Sequence, residues 1–224
     1  MPEELPLGVF GGTFDPVHVG HLRLAEEAAD ALGLAAVRWI PAGRPRHRDA
    51  PRVAAAHRLR MVELAVAGNP RFGLDAAEVD SGAASYTVPT LERLRAELGA
   101  TRPLVLLLGA DAYAGLPDWH RWREIFALAH VAVARRPGVA VDAAALPAEL
   151  QTEERARRAP DDDPAALAAA PAGRILGFTT TPLAVSATQV RALLAAGRSA
   201  RYLLPPAVID YIALHHLYRS HDGS

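Results

Sequence analysis

The sequence predicts an α/β fold in which a doubly wound, mostly parallel sheet carries helices on both faces. Three observations lead there. Short apolar runs alternate with segments of helical spacing along most of the 224 residues, which is the pattern of strand–helix–strand crossovers. Residues 104–108 are apolar without alternation, as a strand buried on both faces must be. The first apolar run ends in Gly11-Gly12 and leads straight into a helical segment, giving a strand, a turn and a helix.

Taken in order, residues 7–10 make the first strand, and the segment after Pro16 spaces Leu22, Ala25, Ala29 and Leu32 for the first helix. Residues 37–40 read as a second strand closed by Pro41 and Gly43, and residues 53–66 as a second helix stopped near Gly68-Asn69-Pro70. Residues 72–79 alternate like a strand, residues 87–98 are amphipathic, and residues 131–134 and 174–178 supply further strands after the buried one at 104–108. A short helical portion with the period of core packing closes the chain around Tyr202 to Ile212. The class is thus Rossmann-like, and sheets of this kind bind ligands at the C-terminal ends of their strands. One domain is expected over residues 1–224. Within it, residues 140–173, rich in Ala, Pro and charge, are expected to be a surface insertion, solvated and helical.

Composition narrows the function. The chain carries 24 Lys+Arg against 25 Asp+Glu, a formal charge of −1, so it lacks the basic field of a nucleic-acid binder and any Lys/Arg block for an anionic membrane. A local phosphate site is compatible with that balance. No Cys is present, which excludes disulfides, thiolate zinc sites and cysteine nucleophiles. The acidic, Pro-containing first residues do not read as a secretory signal, and no apolar run approaches bilayer length. A cytoplasmic protein is expected, and its oligomeric state is left open, a homo-oligomer included.

The most informative stretch is Gly11-Gly12-Thr13-Phe14-Asp15-Pro16-Val17-His18-Val19-Gly20-His21. Two glycines allow a tight turn and close approach of a ligand, while Asp15 and Pro16 suit the N-cap and first position of a helix. On that register His18 and His21 share a face beside the helix's positive end, an anion site. Gly20 lowers helix propensity, which is tolerable where a nucleotide lies against the backbone. Paired histidines also fit zinc ligation or a structural role, but no third ligand accompanies them, and turn, cap and imidazoles converge on phosphate. The stretch resembles the signature of the nucleotidyltransferase superfamily of adenylyltransferases and cytidylyltransferases, whose paired histidines contact triphosphate. The resemblance implies that Gly11, Gly12, Thr13, Phe14, His18 and His21 bind ATP, with His18 and His21 catalytic.

A second motif, Val185-Ser186-Ala187-Thr188-Gln189-Val190-Arg191, follows a strand and opens a helix. Ser186 and Gln189 fit a capping box. Thr188, the free N–H groups and the Arg191 fork can converge on one anion. The motif resembles the superfamily's second signature, with Ala187 standing where a Ser is usual. Ser186, Thr188 and Arg191 are accordingly expected at ATP, with Arg191 catalytic.

Further stretches resemble the bacterial nicotinate mononucleotide adenylyltransferases and cover most of the chain. Pro45-Arg46-His47-Arg48 is similar to that family's loop after the second strand, with Arg48 in place of Lys, and His57-Arg58 through Ala65 is similar to its second helix, read as packing and surface charge. Ser85-Tyr86-Thr87 resembles the segment whose Thr contacts the nicotinate end, with Pro89 where Asp is common. Gly109 and Asp111, at the end of the buried strand, suit the adenosine part. Trp119 suits stacking on a pyridine ring, Trp122 reads as a core anchor, and Arg135-Arg136-Pro137-Gly138 is taken to touch nucleotide. His215, His216 and His221 read as a polar tail. The resemblance implies transfer of AMP from ATP, brought with Mg²⁺, to nicotinate mononucleotide held by Arg48, Thr87 and Trp119. Deamido-NAD and pyrophosphate are the products, formed by direct attack of the acceptor phosphate on the α-phosphorus. Pantetheine-phosphate adenylyltransferase and a catalytically silent nucleotide-binding protein are the rival readings.

Overall fold

The structure, a computed structural model, describes residues 5–45, 50–135, 137 and 145–219. Its centre is a six-stranded parallel sheet of β1 (Leu7–Gly12), β2 (Ala36–Pro41), β4 (Phe72–Leu74), β6 (Leu104–Gly109), β7 (His130–Arg135) and β8 (Ile175–Thr179) in the order β4-β2-β1-β6-β7-β8. Two short strands, β3 (Arg44–Pro45) and β5 (Ala84–Ser85), pair in parallel beside it. The chain order reverses between β1 and β6, so ligand-binding crevices of this architecture belong there. The register supports the same point. β1 and β6 are paired from Leu7↔Leu104 to Val9↔Leu106 only, although the strands run on to Gly12 and Gly109. Beyond that pair they part and leave an opening.

Alternation along the strands feeds two cores. Val105 and Leu107 join Trp39, Met61 and Ala28 on one face, while Leu104, Leu106 and Leu108 join Leu91, Leu94 and Ile125 on the other. The first layer is closed by α1 (Val19–Ala31), α2 (Ala55–Val66), α9 (Ala187–Ala195) and α10 (Pro206–Leu214), and the second by α4 (Thr87–Leu98) with α6 (Ile125–Leu128).

Two expectations need correction. The first helix begins at Val19 and not at Pro16, because the Asp15 carboxylate accepts from the Arg52 N–H and the Tyr218 hydroxyl instead of capping the helix. His18, extended at φ −143°, takes the N-cap place. The strand expected over residues 72–79 stops at Leu74: Asp75 accepts from the Ala77 N–H at 3.1 Å and turns the chain into α3 (Ala77–Ser81). In the segment after residue 145, Leu146 and Leu150 of α7 (Ala148–Arg157) are buried in the second core, and Ala159 and Leu167, the latter on α8 (Ala165–Ala168), in the first. Among the described residues no helix is long and apolar enough to cross a membrane.

Candidate active site at the switch point

A cleft of about 1800 Å³ opens where β1 and β6 part. Gly11, Gly12, Thr13, Phe14, His18 and His21 line it from the end of β1 and the start of α1; Gly109 and Asp111 from the end of β6 and from α5 (Ala110–Ala114). Ser186, Thr188 and Arg191 enter from the start of α9, and Thr87 and Trp119 from the remaining side. Both motifs and the acceptor segment therefore meet in one cavity. Arg48 lies outside the described residues, as do Arg46, His47, Arg136, Gly138 and His221.

The histidine pair is built tightly. The His18 N–H donates to His21 Nδ1 at 3.2 Å, which assigns the His21 proton to Nε2, and the two rings stack with centroids 3.6 Å apart. Two imidazolium ions that close would repel by about 5 kcal/mol at an effective dielectric of about 20. Burial resolves the conflict by holding the His18 pKa down at about 4. At neutral pH His18 is thus a neutral hydrogen-bonding group, its Nδ1 buried without a partner.

Two of the glycines also make room for protein side chains. A Cβ on Gly12 would stand 2.9 Å from the Phe14 ring, and one on Gly20 would stand 2.8 Å from Val185 and 3.1 Å from His18 Nδ1. These positions are small to seat Phe14 and His18 themselves. The tight turn falls at Phe14, left-handed at φ 49°, whose buried ring then meets His21 edge-on at 5.1 Å.

On the opposite side Ser186 caps α9, its Oγ accepting from the Gln189 N–H at 3.1 Å. Arg191 donates from Nη2 to Thr188 Oγ1 at 3.2 Å and from Nη1 to the Asp15 carbonyl at 2.8 Å. Both bonds go to neutral oxygens, and the guanidinium stands where two helix N-termini already favour an anion. Thr87 opens α4 behind an extended Tyr86. Trp119 follows a 3-10 turn over Leu116–Asp118, half-buried against the second core, whereas Trp122 is buried there under the Arg123 guanidinium, an anchor as expected.

Two residues of the site, Arg58 and Glu78, were not read from the sequence as site residues. Arg58 is 1% exposed and donates to the carbonyls of Thr13, Ala42 and Gly43 at 2.6–2.9 Å. Its signal is a charge standing at i, i+3, i+4 spacing with Met61 and Val62 on the buried face of α2. Glu78 lines the cleft beside Ser85 and Thr87; it accepts from Thr90 Oγ1 at 2.5 Å, and burial raises its pKa. Arg135, which the sequence did single out, lines the cleft with its guanidinium paired to Asp162 at 2.5 Å and laid where a Gly177 Cβ would stand. Among the described residues no group of three or more His, Asp or Glu is gathered to hold a metal ion.

A family model described as cytidylyltransferase-like matches residues 9–193. A protein of Dechloromonas aromatica named probable nicotinate-nucleotide adenylyltransferase is 62% identical over 96% of this chain and 98% of its own length. Its namesake in Pseudomonas putida W619 is 51% identical over 96% and 95%. Among solved structures, Plasmodium falciparum nicotinic acid mononucleotide adenylyltransferase complexed with NaAD superposes with a TM-score of 0.70 over 96% of this chain and 98% of that one. At 14% identity that likeness speaks for the fold.

Proposed function

The chain belongs to the cytidylyltransferase-like family and, within it, to the nicotinate-nucleotide adenylyltransferases, and from that premise we propose how its cleft performs adenylyl transfer in NAD biosynthesis. Nicotinate mononucleotide and ATP, the latter carrying its Mg²⁺ as part of the substrate, enter the opening between β1 and β6. A 5′-phosphate oxygen of the mononucleotide attacks the α-phosphorus in line. That P–O bond forms as the bond to the β-phosphate bridge breaks, giving deamido-NAD and pyrophosphate. No covalent enzyme intermediate is required. The protein aligns the reactants and meets the charge on the phosphorus centre.

The observation that carries this reading is the Arg191 bond to the Asp15 carbonyl at 2.8 Å, which joins the two motifs across one cleft. With it, Arg191, Thr188 and the α9 N-terminus can hold the leaving phosphates from one side while His18 and His21 donate from the other. Gly11, Gly12, Thr13 and Phe14 floor the triphosphate site, Ser186 keeps the α9 N-terminus formed, and Gly109 and Asp111 take the adenosine. Thr87 and Trp119 hold the nicotinate ring, and Arg48 supplies charge at the acceptor phosphate. The reaction is placed in the cytoplasm.

Pyrophosphate release from ATP and Mg²⁺ tests the assignment, with nicotinate mononucleotide, nicotinamide mononucleotide and phosphopantetheine as parallel acceptors. Preference for the acid mononucleotide is expected. Equal use of acid and amide removes the selectivity, and release with phosphopantetheine alone moves the protein to the pantetheine reaction.

A further inference from the structure

Asp15 has a use that neither motif explains. It is 6% exposed, and every oxygen it owns is taken. The Tyr218 hydroxyl donates to Oδ1 at 2.6 Å, the Arg52 N–H to Oδ2 at 2.7 Å, and Arg191 Nη1 to the carbonyl at 2.8 Å. Two residues earlier, Arg58 grips the Thr13 carbonyl at 2.7 Å while holding Ala42 and Gly43 with the same guanidinium. Three residues later His18 takes the N-cap place of α1. The loop that delivers His18 and receives Arg191 is therefore suspended from two groups remote in sequence, Arg58 on α2 and Tyr218 in the last described turn.

The last turn is shaped for this contact. His216 and Tyr218 both sit at positive φ, 53° and 60°. Non-glycine residues keep such backbone only where surrounding contacts over-determine it. Leu217 and the Tyr218 ring pack against the first core, which leaves the hydroxyl as the polar end of an otherwise apolar contact. Burial, and then the Asp15 carboxylate, push the Tyr218 pKa far above the usual tyrosine range, so the hydroxyl remains a donor at any working pH. A lysine does not match Arg58, because the three carbonyls are served from two nitrogens, Nη1 for Thr13 and Ala42 and Nη2 for Gly43, where an ammonium offers one.

We infer that Tyr218 and Arg58 are positioning residues for adenylyl transfer, Tyr218 through the Asp15 carboxylate and Arg58 through the Thr13 carbonyl, setting the 13–18 loop from which His18 acts and on which Arg191 rests. The inference stands on the function proposed above. The C-terminal turn is on this view a working part of the ATP side of the cleft.

Tyr218→Phe keeps the ring and removes one hydroxyl, leaving Asp15 short of a donor in a buried place. Steady-state pyrophosphate release with nicotinate mononucleotide should show kcat reduced about tenfold and KM for ATP raised several-fold. KM for the mononucleotide should stay within about twofold and the unfolding midpoint within a few degrees. Arg58→Lys should lose more of kcat than Tyr218→Phe. Combining Tyr218→Phe with Asp15→Asn should cost no more than the larger single loss, since both cut one chain of contacts. A Tyr218→Phe enzyme with kcat and KM unchanged beside an active wild type would overturn the inference and leave the proposed function standing. Additive losses in the double variant, or equal rises in both KM values, would overturn it too. A wild type that releases no pyrophosphate with any acceptor overturns the function and the inference together.

Discussion

His18 is the residue whose environment matters most, because one burial sets both its chemistry and its contribution to stability. Removing a donor aimed at developing phosphate charge costs on the order of 10²–10³ in turnover. His18→Ala should therefore lose at least that much kcat while keeping its far-UV circular dichroism, and near-normal turnover would remove the assigned role. The pH dependence follows from the depressed pKa of about 4 against an ordinary 6.5. Above about 6.5 neither the folded nor the unfolded chain carries this proton. Below it the unfolded chain takes the proton up and the folded protein refuses it until about 4, so stability falls as pH drops through that interval. The loss is on the order of 3 kcal/mol for His18. His130 adds to it in the same direction. Its pKa is lowered mainly by burial, and its ring nitrogens serve the Ala170 carbonyl and the Arg174 N–H, which only the neutral form can do. Urea unfolding at pH 7.5 and pH 5 should show the drop, and His18→Gln should make it shallower.

At the scale of elements, the helix starts carry the site, and their caps are open to measurement. Ser186→Ala removes the bond to the Gln189 N–H and should cost about 1 kcal/mol; it should also weaken ATP binding, because a frayed α9 no longer fixes Thr188 and Arg191. Gly20→Ala sets propensity against packing. Helix propensity favours Ala by about 1 kcal/mol, but the added Cβ would crowd Val185 and the His18 ring at 2.8 and 3.1 Å. The substitution should give no stabilisation in a thermal melt and should lower turnover; a more stable, fully active variant would show that the ring has room to move. Most elements were legible at this scale, since α4 (Thr87–Leu98) spans the segment read as amphipathic and the strands at 104–109 and 130–135 enclose the predicted runs. The start of α1 was not. Asp15-Pro16 carries the local chemistry of a capped helix start, and its carboxylate went instead to Arg52 and Tyr218, partners 37 and 203 residues away. Local capping rules cannot see such competitors.

Over the whole molecule, a line of polar contacts runs from the cleft into the segment read as an insertion. Arg135 pairs with Asp162, whose other oxygen accepts from Arg158 and from the Gly177 N–H; Arg158 pairs with Glu154, which accepts from the Tyr113 hydroxyl. Asp162→Asn tolerates the left-handed backbone at φ 53° but leaves one acceptor for three donors. It should destabilise the protein by about 1–3 kcal/mol in chemical denaturation. Residues in these contacts looked like a solvated charge run, because three consecutive aspartates between Pro160 and Pro164 carry no periodicity to betray that Asp162 faces inward. The sequence by itself determined the α/β class, the parallel order implied by its buried strands, and the two motifs that meet in the cleft. Each of these rests on contacts between near neighbours or on periodicity, which a linear chain displays. Only the tertiary structure decided that burial holds the His18 pKa down, that Gly20 makes room for a side chain, and that Arg58 and Tyr218 hold the 13–18 loop. Those outcomes depend on burial and on partners brought together by the fold, where a polar group's free energy is set by what surrounds it and not by what precedes or follows it in the chain.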